Sequence, residues 1–180
     1  SDVVFHLNAP SAIDDPSWIR PGRTTFPWWN AYALDGVDFE VGLNTATHKH
    51  YIDFCAKHGI ELHSLDGTDR AWYGGPIVPE GPTDVTTGIE GLDVPALFRH
   101  AKEKGVRLRL WSHWRALGPQ IDEALPLYAS WGAEGIMVDF MDRDDQEMVA
   151  FYHEVARKCA RHKLTVSFHG SYKPTGMERT

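Results

Sequence analysis

The sequence predicts an α/β fold of the (β/α)8 TIM-barrel kind, present as an incomplete barrel of about five βα units, and three observations carry that prediction. Short β-rich runs alternate with amphipathic helical stripes, and repeated strand–helix units build a parallel sheet with right-handed crossovers. No G-x-G-x-x-G opens a helix after a strand, which counts against the dinucleotide-binding, doubly wound version. Polar and aromatic residues follow every run, and a barrel displays its chemistry at the C-terminal ends of its strands.

Taken in order, the first run is Thr24–Trp28, which leads into Trp29 and Asn30. Tyr51, Ile52 and Cys55 then recur at helical spacing, with Gly59 as the stop. The second run, Glu61–Leu65, ends at Asp66. Residues 67–92, rich in Gly, Pro and Thr, read as an oversized second βα loop expected to overhang the mouth of the barrel. Asp93 is the N-cap of the next helix, with Pro95 in its first turn and Gly105 as its stop. The third run, Arg107–Ser112, is followed by His113, Trp114 and Arg115. Ile121, Ala124, Leu125 and Tyr128 form a third stripe, which Pro126 is predicted to kink. The fourth run, Gly135–Asp139, is apolar enough to be buried on both faces until its last residue. Asp142, with Asp145 three residues on, reads as the N-cap arrangement for the stripe Met148, Phe151, Tyr152, Val155 and Cys159. Thr165–His169 is the fifth run, with Lys173 beyond it. A complete barrel takes about 250 residues, so five strands in 180 residues make the N-terminal part of one catalytic barrel domain.

Composition narrows the ligand. With 18 Lys and Arg against 25 Asp and Glu, the net charge of −7 argues against a nucleic-acid partner, which needs a clustered basic face. No run of about 18 apolar residues is present, so no membrane span is expected, and the opening residues lack the pattern of a targeting segment. Several of the 7 Trp, 6 Tyr and 8 Phe stand in loops beside Gly and Pro, where an aromatic face suits a sugar ring. Cys55 and Cys159 each fall on an apolar helical stripe and are expected to be buried free thiols.

Asp139 is the strongest chemical candidate: a carboxylate at the C-terminal end of a barrel strand points into the pocket. The plain alternative is an Asp that caps the following helix, a role that Asp142 and Asp145 already fill. The acidic run lacks the D-x-D-x-D-G spacing of a calcium loop. His113 and His169 are placed to bind sugar hydroxyls or a metal, or are satisfied within loop packing; no H-x-H or H-E-x-x-H favours a zinc site. His48, His50, His58, His100, His153 and His162 lie on or near helices and are expected to be solvated. Trp28, Trp29, Trp111 and Trp114 stand at strand ends, as stacking faces or as core. Arg115 and Lys173 sit in loops where they could hold a hydroxyl-rich substrate or be surface charge. No G-x-S-x-G elbow or phosphate-cradling glycine loop points to acyl or phosphoryl transfer.

Several long strings resemble glycoside hydrolase family 97: Trp18-Ile19-Arg20-Pro21-Gly22-Arg23, Trp28-Trp29-Asn30, Leu110 to Leu117, Val138 to Gln146 and Phe168 to Gly176. The resemblance runs from about Asn8 to Thr180. It implies exo-acting α-glycosidases of bacterial polysaccharide use, periplasmic or secreted, with a β-sandwich before the barrel, a small β domain after it, and a calcium ion at the active site. It also implies two branches. In the inverting α-glucosidases the base is a glutamate directly after the His that ends strand five; the retaining α-galactosidases carry a nucleophile on strand four. Here Gly170 follows His169 and strand four ends in Asp139, so both positions match the retaining branch.

On that resemblance the acid/base and most calcium ligands lie outside this chain, and no metal ligand is assigned within it. The second-strand position after Asp66 is Gly67, where relatives are expected to carry a polar partner. The expected substrate is an oligosaccharide or α-glycoside, with Asp139 as nucleophile and Trp28, Asn30, Asp66, His113, Trp114, Asp142, His169 and Lys173 around the sugar. The expected activity is a retaining α-galactosidase; an α-glucosidase of the same family and a non-catalytic carbohydrate-binding barrel are the alternatives. The remaining barrel and the flanking β domains are expected as partners within the same polypeptide. The chain alone is expected to be inactive, without its acid, and to aggregate through open sheet edges.

Overall fold

The computed structural model describes residues 10–81 and 83–173. Asn8 and the residues from Pro174 onward, which the resemblance also covers, lie outside that range. Five strands, β1 (Thr24–Thr25), β2 (Leu62–Leu65), β3 (Arg107–His113), β4 (Gly135–Asp139) and β5 (Thr165–Phe168), form one sheet in the order β1-β2-β3-β4-β5. Every adjacent pair is parallel. A doubly wound sheet reverses its order at a switch point, whereas a barrel adds each strand beside the last. The sequential order therefore gives the barrel reading and not the doubly wound one.

The helices are α1 (Thr45–His58), α2 (Val94–Lys104), the short α3 (Trp114–Leu117), α4 (Ile121–Trp131) and α5 (Gln146–Arg161). Their ends follow capping chemistry. Asn44 caps α1 by accepting from Thr47 N, and Asp93 caps α2 by accepting from Ala96 N. Gly59 and Gly105 close these helices in the left-handed conformation, at φ 64° and 71°. Pro126 lies inside α4, and the helix continues through it to Trp131. Strands β2 and β4 are buried along their whole length, and Ile52, Leu65, Leu110, Val138 and Val155 are fully enclosed between sheet and helices. Both cysteines are buried free thiols, as their stripe positions predict.

Four expectations need correction. The first strand stops at Thr25, because Pro27, which has no N–H for a ladder, opens a 3-10 turn over Pro27–Asn30. That turn closes through Ala31 and Tyr32 in the left-handed region. The cap of α5 is Asp145, which accepts from Met148 N; Asp142 sits in the loop before it at φ 45°. His48 is not solvated but fully buried. The long loop after β2 is more than an overhang, since it folds inward and fills the core. Trp72 and Val85 are fully enclosed, Trp72 Nε1 donates to Trp111 O at 2.7 Å, and Tyr128 OH donates to Val85 O at 2.7 Å. Burying one indole of that size contributes roughly 2–3 kcal/mol, so the root of this loop is fixed by packing.

At the N-terminal end of the sheet, Glu134 binds both Arg107 and Arg20, the latter at 2.6 Å. The pair ties the segment leading into β1 to the base of β3 and β4.

Candidate active site

The C-terminal ends of the strands gather the polar residues. Asp139, the last residue of β4, is 4% exposed, and its carboxylate meets three donors. Trp111 Nε1, from β3, donates to Oδ2 at 2.9 Å. The backbone N–H of Phe140 donates to Oδ1 at 2.6 Å. His169 Nδ1, just beyond β5, stands 3.0 Å from both oxygens. Both partners of that nitrogen are acceptors, so it carries the proton and shares it between them.

The turn after Asp139 makes this possible. For a residue's own carboxylate to accept from the next amide, the chain must fold back at once, and Phe140 does so at φ 62°. The turn is laced to the end of β5 by His169 N donating to Val138 O and Asp142 N donating to Gly170 O, each at 2.9 Å. Phe140 then stacks on His113, with ring centroids 5.5 Å apart and planes 15° from parallel, and meets Trp111 edge-on.

His113 ends β3 with its ring enclosed. Its Nδ1 accepts from Arg115 N, and its own amide donates to Tyr73 OH at 3.1 Å. Burial first, and then the Arg115 charge, lower its pKa from the ordinary imidazole value. Asp66, at the end of β2, is 1% exposed, and neither carboxylate oxygen has a hydrogen-bond partner among the described residues. Burial pushes its pKa up to about 7; nearby Ser64 and Arg109 oppose the shift, and the charge on Asp139 adds to it. Asp66 is thus a neutral or half-ionised acid near neutral pH, electrostatically coupled to Asp139.

The remaining expected residues divide. Trp28 is half exposed and stacks on Phe26, whose ring meets His169 edge-on, so Trp28 adjoins the Asp139 cluster from the β1 side. Asn30 uses its amide on Tyr51 OH and Ala33 O, which holds the turn after Trp29. Trp114 packs toward Phe151 of α5 and carries Arg115 over its face. Asp142 and Lys173 are exposed. Among the described residues no three His, Cys, Asp or Glu side chains come together in a way that could hold a metal ion.

Sequence reasoning missed the partners that hold the cluster. Trp111 was open between stacking face and core, and it is a buried donor to Asp139. Tyr73, inside the long loop, was not singled out. Behind β2, His48 Nδ1 and His63 Nε2 lie 2.8 Å apart, with Thr25 Oγ1 2.7 Å from His63 Nδ1 and the Tyr51 ring stacked on His63. The signal for His48 was present: it begins the helical stripe 48, 51, 52, 55 that Tyr51, Ile52 and Cys55 continue.

A parallel sheet in sequential order, with its carboxylates, imidazoles and indoles at the C-terminal strand ends, defines an α/β barrel of the enzyme-bearing kind. The family described as Glycoside hydrolase 97 matches residues 28–180, and the chain belongs to that family.

Curated relatives include the retaining alpha-galactosidase of Bacteroides thetaiotaomicron, 39% identical over 180 residues that cover 100% of this chain and 26% of that protein. A probable retaining alpha-galactosidase of Streptomyces bingchenggensis is 33% identical over 184 residues, covering 100% of this chain and 27% of its own length. The chain thus spans about a quarter of the length of these relatives. Among solved structures, a variant of a glycoside hydrolase family 97 enzyme from Pseudoalteromonas sp. strain K8 superposes with a TM-score of 0.82 at 25% identity, over 100% of this chain and 31% of that one. A beta-arabinopyranosidase gives a TM-score of 0.75 at 25% identity, over 99% of this chain and 27% of its own.

Proposed function

We propose that the protein containing this chain is an exo-acting, retaining α-galactosidase in which Asp139 is the nucleophile. The observation that carries this reading is the Asp139 carboxylate at the end of β4, gripped by Trp111, Phe140 N and His169. The names of the two curated relatives favour the galactoside over the glucoside.

A nucleophilic carboxylate must be held by donors that keep it charged and aimed while leaving a lone pair for attack. The shared His169 proton meets that need. Moving it fully to one oxygen frees the other to bond the anomeric carbon as the C1–O bond to the leaving group breaks. The leaving oxygen takes its proton from an acid that this reading places outside the chain. Water then adds to C1 as its proton passes to the conjugate base of that same acid, the ester bond to Asp139 breaks, and the sugar leaves with its α configuration kept. Trp28 and Phe140 supply apolar faces for the ring, and the buried His113 and Asp66 belong to the floor. In this reading Asn30, Trp114, Asp142 and Lys173 contribute less directly, by shaping the loops around the pocket.

A calcium ion belongs to the same reading on the family resemblance alone. Among the described residues no three His, Cys, Asp or Glu side chains gather where they could hold it, and its ligands are assigned to other parts of the polypeptide. The rest of the barrel, the flanking β domains and a periplasmic or secreted location rest equally on resemblance. No described helix is long and apolar enough to cross a membrane.

The test uses the intact protein with 4-nitrophenyl α-galactoside and α-glucoside, following by NMR which anomer forms first. Wild type should release α-galactose. Asp139→Ala should lose about 10³-fold or more in kcat, and azide should rescue it as the β-galactosyl azide. A β-anomer from wild type, or full activity in the variant, would overturn the reading.

A further inference from the structure

Gly170 lies against the back of the candidate nucleophile. A Cβ at this position would stand 2.9 Å from Asp139 Oδ1, 2.9 Å from Phe140 N and 3.1 Å from Phe140 Cα. Two of these three atoms are main chain and cannot rotate away. The third is held by the Phe140 amide at 2.6 Å, by the indole grip on its sister oxygen, and by His169. Gly170 itself adopts φ 58°, in the left-handed region where a side chain is strained. Its carbonyl also accepts from Asp142 N, which fixes the Asp139–Asp142 turn against the end of β5. The peptide at 170 therefore cannot retreat to admit a side chain without releasing that turn.

We propose that Gly170 is a positioning residue for the reaction: the missing side chain at 170 sets where the Asp139 carboxylate stands and permits the Phe140 amide to hold it. The role is steric and specific to the atoms that touch Asp139. It deepens the nucleophile assignment above and rests on it. A methyl group at 170 starts 2.9 Å from Oδ1 and needs about 3.4 Å, so it pushes Oδ1 off the Phe140 amide by about 0.5 Å and turns the carboxylate; since a 1 Å misplacement costs about 10²-fold in rate, about tenfold is expected here. Substrate binding depends on other surfaces, Trp28 and Phe140 among them, and changes little.

The experiment combines two readouts on the intact protein. In the first, Gly170→Ala is assayed with 4-nitrophenyl α-galactoside; kcat should fall by about tenfold or more with KM within about threefold of wild type. A loss confined to KM, or an unchanged kcat, would overturn the proposal. In the second, melting temperatures are measured for Gly170→Ala, Asp139→Ala and the double variant. Removing the carboxylate removes one of the crowded contacts, so Gly170→Ala should cost less in the Asp139→Ala background than in wild type. Additive effects would show that the crowding does not involve Asp139, and would overturn the proposal. If Gly170→Ala fails to fold, a folded double variant supports the proposal and an unfolded one overturns it. The melting comparison needs no turnover. If wild type proves inactive on both glycosides, the function reading fails while the steric coupling is still decided.

Discussion

Trp111 and Asp139, on neighbouring strands and two residues apart in register, since Met137 faces Trp111 and His113 faces Asp139, share a hydrogen bond of 2.9 Å from indole Nε1 to carboxylate Oδ2. A donor to a charged acceptor in an enclosed site contributes about 1.5–3 kcal/mol. Trp111→Phe keeps much of the apolar ring and deletes the N–H, so kcat should fall about 10- to 100-fold, with a lower melting temperature because a buried carboxylate loses a donor. Steady-state kinetics beside a thermal melt would check this, and an unaltered kcat would remove the indole from the grip.

His169 offers a separate test of the same carboxylate. His169→Phe preserves a ring beside Phe26 and removes the proton shared between the two Asp139 oxygens. The loss in kcat should be about tenfold or more. Combined with Trp111→Phe, the effect should be less than the product of the two single effects, because both act on one carboxylate.

Asp66 makes stability depend on pH in an unusual direction. Its pKa in the folded protein is raised to about 7 from an ordinary 3.8, chiefly by burial. A carboxyl with a raised pKa stabilises most when protonated, so its contribution is full below the ordinary value and is lost as the pH rises through about 7. Asp66→Asn should therefore melt higher than wild type at pH 8, with the gap closing toward pH 5; a gap that grows on acidification would refute the burial argument.

His48 and His63 act oppositely. Burial lowers both below the ordinary 6.5, His48 to about 3. Their neutral forms are the ones the core accepts, so stability is intact above 6.5 and falls as the pH drops below it. His48→Leu leaves His63 Nε2 without its partner and should melt lower at pH 7.5. Between pH 6.5 and 4.5 the variant should lose less than wild type does, which melting curves across that range would read.

Glu134 separates stability from chemistry. It is buried and paired with Arg107 and Arg20 at the opposite end of the sheet from Asp139. Glu134→Gln should cost about 2 kcal/mol or more by leaving Arg107 without its charge partner, seen as a lower melting temperature. The kcat/KM of the folded protein should be unchanged.

Much of the framework was legible because strong local signals agreed with one another. The apolar run ending in Asp139 reads as a buried strand meeting a pocket, and Asp93, Pro95 and Gly105 bracket α2 by capping chemistry alone. Thr24–Trp28 misled because its β-branched opening outweighed Pro27, whose missing N–H ended the strand. Asp142 misled for a related reason: Asp142 and Asp145 both carry capping chemistry, and only the left-handed backbone at Asp142 shows which one begins the helix. At the site, the carboxylate and His169 were visible in the sequence as site residues, but the grip on the carboxylate was not. Trp111, Phe140 N and His169 lie 28, 1 and 30 positions from Asp139 and meet it only through strand pairing and a backbone turn. The steric need for glycine at 170 depends on atoms from two strand ends and has no local pattern at all.

The hydrogen bond from Trp72 to the Trp111 carbonyl gives the long loop after β2 an inner root and an outer tip. The root is sealed into the core beneath the residue that grips Asp139, while Val78, Pro79, Glu80, Gly81 and Thr83 form an open hollow with Arg115 and Pro119. Descendants of this sequence are then free to lengthen, shorten or recompose the tip, altering what approaches the mouth, while the carboxylate keeps its aim. For loop grafting, the natural splice points lie outside the Trp72–Tyr73 anchor, and a library confined to the tip would diversify recognition with the barrel's chemical floor left in place.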